Sequence, residues 1–122
     1  LLNYGHSFGH AIESATAYAM PHGIAVAHGI DIANRCAVSL GFLEKDIQEE
    51  INMVLAKICR AYDMGDISPD AIFCHLKKDK KNSENSLRLI LCHDFGSVVK
   101  HSFVIDDELR GMLTNSVREH TR

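Results

Sequence analysis

The sequence is short of the features that mark several large protein classes. Its four cysteines, Cys36, Cys59, Cys74 and Cys92, are far apart and form no CxxC pair. That argues against a zinc ribbon or a redox dithiol, and leaves buried reduced thiols in a cytosolic protein as the expectation. No apolar run approaches the roughly 20 residues needed to span a bilayer, because His, Asp or Asn interrupts each one; no membrane association is expected. Positive charge is scarce as well. The formal net charge is -3, and apart from Lys77, Lys78, Lys80 and Lys81 the basic residues do not gather, so no nucleic-acid partner is expected. No GxGxxG opens a helix after a strand, which leaves this chain without the usual dinucleotide-binding loop. There is no internal repeat, no low-complexity tract, and no signal peptide ahead of a motif-rich segment that begins almost at Leu1. The expectation is a cytoplasmic fragment, or a domain cut from a longer protein.

What is there is an ordinary globular composition, 46% hydrophobic and 24% charged over 122 residues, enough for one domain with a modest core. Phe8, Ile12 and Ala15 recur at helical spacing and predict a first helix from Tyr4 to about Ala19. Pro21 and Gly23 break the chain, and His22 to Leu40 carries apolar residues almost all round, which predicts a central helix ending at Gly41 as its C′ residue. Ile47, Ile51, Val54, Leu55 and Ile58 make one stripe of a surface helix from Glu44 to Tyr62. Pro69 suits the first turn of a short helix ending near Lys78. After a polar loop, 79–86, Leu87 to Cys92 and Val98 to Ile105 read as a hairpin. Asp106 can cap a last helix to about Glu119.

The residues that carry chemistry crowd into the first two segments: Asn3-Tyr4-Gly5-His6-Ser7-Phe8-Gly9-His10-Ala11-Ile12-Glu13, then Pro21-His22-Gly23. His6 and His10, four apart, share one face of a helix, and His22, just after a turn, can fold back towards them. Imidazole is the commonest protein ligand for zinc, and catalytic zinc keeps an open position beside about three protein ligands. Spacing alone permits a metal site, with ordinary helix histidines as the alternative. Gly5, Gly9 and Gly23 each disfavour helix by up to about 1 kcal/mol relative to Ala, a cost that makes sense where backbone or a ligand must come close.

Taken together, Asn-aromatic-Gly-His-Ser-Phe-Gly-His-Ala-Ile-Glu, then Pro-His-Gly and Ala-Val-Ala, closely resembles the signature of the 3-dehydroquinate synthase family. The resemblance extends to Asp79-Lys80-Lys81 and Leu87-Arg88-Leu89-Ile90-Leu91. It implies a mainly α, metal- and substrate-binding C-terminal domain with one small β-hairpin over residues 1–122, the N-terminal NAD-binding domain being absent from this chain. It makes His6 and His22, sixteen residues apart, ligands of Zn2+ or Co2+, the third ligand being a glutamate outside this segment. His10 becomes the histidine of proton transfer and phosphate elimination. Asn3, Lys80 and Lys81 become substrate contacts. The implied activity is that of a phosphate-eliminating carbon-oxygen lyase of the shikimate pathway, in aromatic amino acid biosynthesis. It is the NAD- and metal-dependent cyclisation of 3-deoxy-arabino-heptulosonate 7-phosphate to 3-dehydroquinate, by a homodimeric parent, the fragment alone being inactive.

Family members of that specificity read His-Gly-Glu-Ala-Val-Ala, whereas this chain has Ile24 for the glutamate and adds His28. That opens a related cyclitol-forming cyclase, such as a 2-deoxy-scyllo-inosose synthase, as an alternative. From another class, a non-catalytic helical module would hold a structural ion closed by a fourth ligand such as Glu13 or a cysteine. His28, six residues from His22, is read as a plain helix residue. His75, His93, His101 and His120 show no grouping, and Arg88 fits an anion contact or a strand surface equally.

Overall fold

A computed structural model describes residues 5–64, 67–77, 86–93 and 97–121. Five helices and one hairpin follow in order: α1 (His6–Ala15), α2 (His22–Ser39), α3 (Lys45–Cys59), α4 (Pro69–Lys77), β1 (Ser86–Cys92), β2 (Val98–Val104) and α5 (Asp107–Thr121). The expected mainly α architecture with a single hairpin is the one observed. Helix α2 is the axis, packed by α1, α3, α5 and β1. Its small and apolar residues Ala25, Ile32, Ala33, Cys36 and Ala37 are fully buried, as an all-round apolar pattern requires.

Glycine sets how closely α1 can lie on α2. A Cβ on Gly29 would run into the Gly5 carbonyl oxygen and come within 2.7 Å of the Gly9 nitrogen, and one on Gly9 would stand 3.2 Å from the Val26 Cα. The cost of Gly5 and Gly9 is therefore met by a neighbouring helix. Gly23 has nothing within 4 Å of a built Cβ, so close approach does not account for it.

The two helix ends flanking the turn regions use the same device with different residues. At the end of α2 the Gly41 N–H donates to the Val38 carbonyl and the Phe42 N–H to the Ala37 carbonyl, with Gly41 at φ 79°, which is the Schellman arrangement with its preferred residue. At the end of α1 the Ala17 N–H donates to Ser14 and the Tyr18 N–H to Glu13, with Ala17 at φ 53° and Tyr18 at φ 63°. Left-handed backbone costs an L-residue roughly 1–2 kcal/mol. The turn ends α1 four residues before the expected Ala19, drops Met20 into the core and starts α2 at His22.

The starts of α4 and α5 fall where expected, while α3 ends at Cys59, three residues short of the expected Tyr62. The Leu109 N–H donates to Asp106 Oδ1 at 2.8 Å, and the Ala71 N–H to Ser68 Oγ at 3.1 Å beside Pro69. The hairpin pairs Ser86 with Val104 and Cys92 with Val98, and Leu87, Leu89 and Leu91 turn inward on the side packed by α2. The expected apolar stripe of α3 is only partly covered: Leu55 is buried, but Val54 and Ile58 face outward beside Met53. Helix α3 leans chiefly on α2, and one neighbour screens a narrow arc.

Candidate metal centre

Two histidine groups hang on α2. The first stands where its N-terminus meets α1. Glu13, buried on the last turn of α1, places Oε1 2.7 Å from His22 Nδ1 and 3.7 Å from His10 Nδ1. The two imidazoles tilt at 47° with centroids 6.0 Å apart, and their side chains are largely exposed. The left-handed turn at Ala17 and Tyr18 reverses the chain so that His22 returns to the residue it left nine positions earlier. With a carboxylate accepting from Nδ1–H, the ring of His22 is held in the tautomer that ligates through Nε2, the arrangement that usually supports metal-bound histidine.

Imidazole nitrogens with an oriented carboxylate behind them are a fitting donor set for Zn2+ or Co2+. His10 and His22 are thus brought together. His6 opens α1 one turn before His10, which places both on one helix face; its side chain lies outside the described residues, as do Asn3, Lys80 and Lys81. Glu13, the residue through which His10 and His22 meet, was read from the sequence as the last letter of the motif and as a candidate fourth ligand of a structural ion.

The second group was not anticipated. Asp31 is completely buried and takes hydrogen bonds from Arg35 Nε at 2.7 Å, Asn52 Nδ2 at 2.9 Å and His120 Nδ1 at 2.6 Å. Burial alone would raise its carboxyl, but the hydrogen bonds from His120 and Arg35 outweigh that and hold it at about 2. His28, also buried, places Nε2 2.8 Å from the Tyr62 carbonyl and Nδ1 2.6 Å from His120 Nε2. Burial lowers its pKa against the pull of the Tyr62 carbonyl.

His28 and His120, read from the sequence as a plain helix residue and an ungrouped one, are therefore partners. His93 and His101 also group, stacked with Phe42 at centroid distances of 4.4–5.3 Å. The signal for the interior group was the spacing of His28, Asp31 and Arg35 on one face of α2. Nothing local announced His120, 89 residues beyond Asp31.

The fold has known counterparts. It superposes on 2-deoxy-scyllo-inosose synthase complexed with carbaglucose-6-phosphate, NAD+ and Co2+ with a TM-score of 0.74 at 25% identity, over 93% of this chain and 34% of that one. A second structure of 2-deoxy-scyllo-inosose synthase gives a TM-score of 0.69 at 27% identity, over 96% of this chain and 31% of that one. The class is that of the dehydroquinate synthase-like cyclases. Residues 1–82 match the model of the 3-dehydroquinate synthase C-terminal family, and the chain belongs to that family.

Among curated relatives, the 3-dehydroquinate synthase of Xylella fastidiosa is 34% identical over 99% of this chain and 32% of its own length. That of Nitratiruptor sp. is 35% identical over 99% and 34%, and that of Campylobacter curvus 39% over 90% and 32%. The chain thus spans about a third of the length of these relatives. Among the described residues no helix is long and apolar enough to cross a membrane.

Proposed function

We propose that this chain is the metal- and substrate-binding part of an NAD- and metal-dependent sugar-phosphate cyclase that converts 3-deoxy-arabino-heptulosonate 7-phosphate to 3-dehydroquinate with loss of phosphate. The observation that supports it best is the Glu13 carboxylate set between His22 and His10 in a chain of this family. In this reading His6 and His22 hold Zn2+ or Co2+, and a glutamate of an N-terminal NAD-binding domain completes the set. The Co2+ and NAD+ of the 2-deoxy-scyllo-inosose synthase structure favour the same pair of cofactors here. The bound metal would supply Lewis acidity at the substrate hydroxyls, and NAD the reversible removal of hydride.

This chain's own residues do the rest. Glu13 fixes the His22 tautomer and raises its basicity as a ligand. His10, exposed beside it, is placed to take and return the proton whose removal lets phosphate leave. Asn3 orients a substrate hydroxyl, and Lys80 and Lys81 meet an anionic group as flexible point charges. Because Glu13 is engaged with His22, the site keeps an open coordination position, which favours catalysis over a closed structural ion. The parent is read as a cytoplasmic homodimer.

A specific residue favours a second product. Ile24 is partly buried against the core cluster and offers no charge where dehydroquinate-forming relatives carry glutamate, which suits a cyclitol-forming enzyme acting on glucose 6-phosphate. The deciding experiment follows phosphate release from each substrate with the intact protein, NAD and Zn2+ or Co2+. Release from the heptulosonate phosphate supports the first reading, release only from glucose 6-phosphate selects the second, and release from neither ends the cyclase reading. His22→Ala is expected to remove both bound metal and turnover; retained activity would strike it from the ligand set.

A further inference from the structure

His28 lies six residues beyond His22 along α2, a rise of about 9 Å onto another face. Two of the interior hydrogen bonds fix one N–H on each ring. The Tyr62 carbonyl can only accept, so His28 Nε2 carries the N–H that points at it, and Nδ1 of the neutral ring keeps its lone pair. The ionised Asp31 carboxylate likewise takes the N–H of His120 Nδ1, so Nε2 is the atom that meets His28, with a lone pair whenever the His120 ring is neutral. The two remaining nitrogens face each other at 2.6 Å, and with both rings neutral each offers only a lone pair. At that separation they repel unless something positive lies between them. The Cys59 sulfur, at the end of α3, is the third corner: one ligand atom each from His28, Cys59 and His120 lie within 4.8 Å of one another.

We propose that His28 Nδ1, His120 Nε2 and Cys59 Sγ bind a zinc-class divalent cation, at a site separate from the one between α1 and α2. Two imidazoles and a thiolate are the donors such ions prefer, and both rings are already oriented by the acceptors behind them, as ligating histidines usually are. Tetrahedral zinc, with Zn–N near 2.0–2.1 Å, sets two nitrogens about 3.3 Å apart, so entry of the ion parts the rings by less than about 1 Å.

All three ligands line one cavity of about 480 Å³ whose wall also carries Asp63, Arg35 and Arg60, which gives the ion a route in and a fourth position for water. The thiol gives up its proton to solvent as the sulfur–metal bond forms. Without metal that proton stays, because burial and the Asp31 charge push the Cys59 thiol up to about 11. Bound, the ion clips α2, the end of α3 and the end of α5 together.

Cobalt reads this site apart from the first, since only this one offers sulfur. Zinc-free intact protein is titrated with Co2+ and its absorption followed. A thiolate-to-cobalt charge-transfer band is expected in the wild type and in the His22→Ala and Cys74→Ser variants, and lost in Cys59→Ser. His120→Gln, which keeps the thiol, is expected to need at least tenfold more cobalt to produce the band. Asp31→Asn is expected to weaken cobalt roughly 10- to 100-fold by loosening the ring behind the ligand. No thiolate band in the wild type, or a band that survives Cys59→Ser, would overturn the site and leave a proton shared by an imidazole–imidazolium pair between the two rings.

Discussion

His22 and His28 stand on one helix, yet they live under different rules. His22 keeps more than half its side chain in solvent beside the Glu13 carboxylate, whereas His28 is buried against Tyr62, His120 and the Asp31 network. In the first group water reaches both imidazoles although Glu13 is buried, so the pairs are partly screened and add little to stability. In the buried group each polar atom must be matched, and removing any one strands its partners. A motif marks the first group because its residues lie within a span of thirteen positions, His10 to His22, while the second draws on α2, α3 and α5.

The sharpest way to break this comparison is to delete the central carboxylate of each group. Asp31→Ala leaves Arg35 and His120 without their buried acceptor and is expected to cost about 3–5 kcal/mol in chemical denaturation; Glu13→Gln is expected to cost less than about 1 kcal/mol. If the two lose stability equally, the division fails. On metal affinity at the α1–α2 site the order reverses: Glu13→Gln is expected to weaken zinc roughly 10- to 100-fold by competition against a chelator, and Asp31→Ala to leave that site unmoved.

Acid should separate the groups as well. The Asp31 carboxyl sits at about 2 against an ordinary 3.8, so its contribution is complete above pH 3.8 and is lost as pH falls towards 2. At about 1.4 kcal/mol per pH unit of difference, that contribution is on the order of 2 kcal/mol. His28 is held below 6.5, so the unfolded chain takes its proton first and stability also declines as pH falls below about 6.5. A melting-temperature profile flat from pH 7 to 3 would contradict both. The smallest effects belong to the matched turns: Ala17→Gly is expected to gain up to about 1 kcal/mol and Gly41→Ala to lose about 1 kcal/mol, read from thermal unfolding.

Much of the fold could be read from local pattern. Gly41, Pro69 and Asp106 mark their helix ends because each supplies a backbone or capping property that few residues have, and the hairpin follows from apolar runs around a turn. Ala17 gives no such mark: alanine is a helix former, and only tertiary packing forces it left-handed. Val54 and Ile58 repeat at helical spacing, but which arc of α3 is covered depends on how few elements lie beside it. The α1–α2 group was legible because His10 and His22 are near in sequence and set in a motif. The interior group was not, since its pairing of Asp31 with His120 is a property of the closed fold.

That pairing also sets a timetable. Asp31 can find His120 only after the 89 residues that separate them have been made. At roughly 5–20 residues per second of synthesis, this leaves the carboxylate waiting on the order of 4–18 s while α1, α2 and α3 are already available to pack. During that interval Arg35 and Asn52 already donate to the carboxylate, and water stands in for His120 until α5 arrives. The last helix then acts less as an addition to a finished bundle than as the step that replaces this water with a buried imidazole.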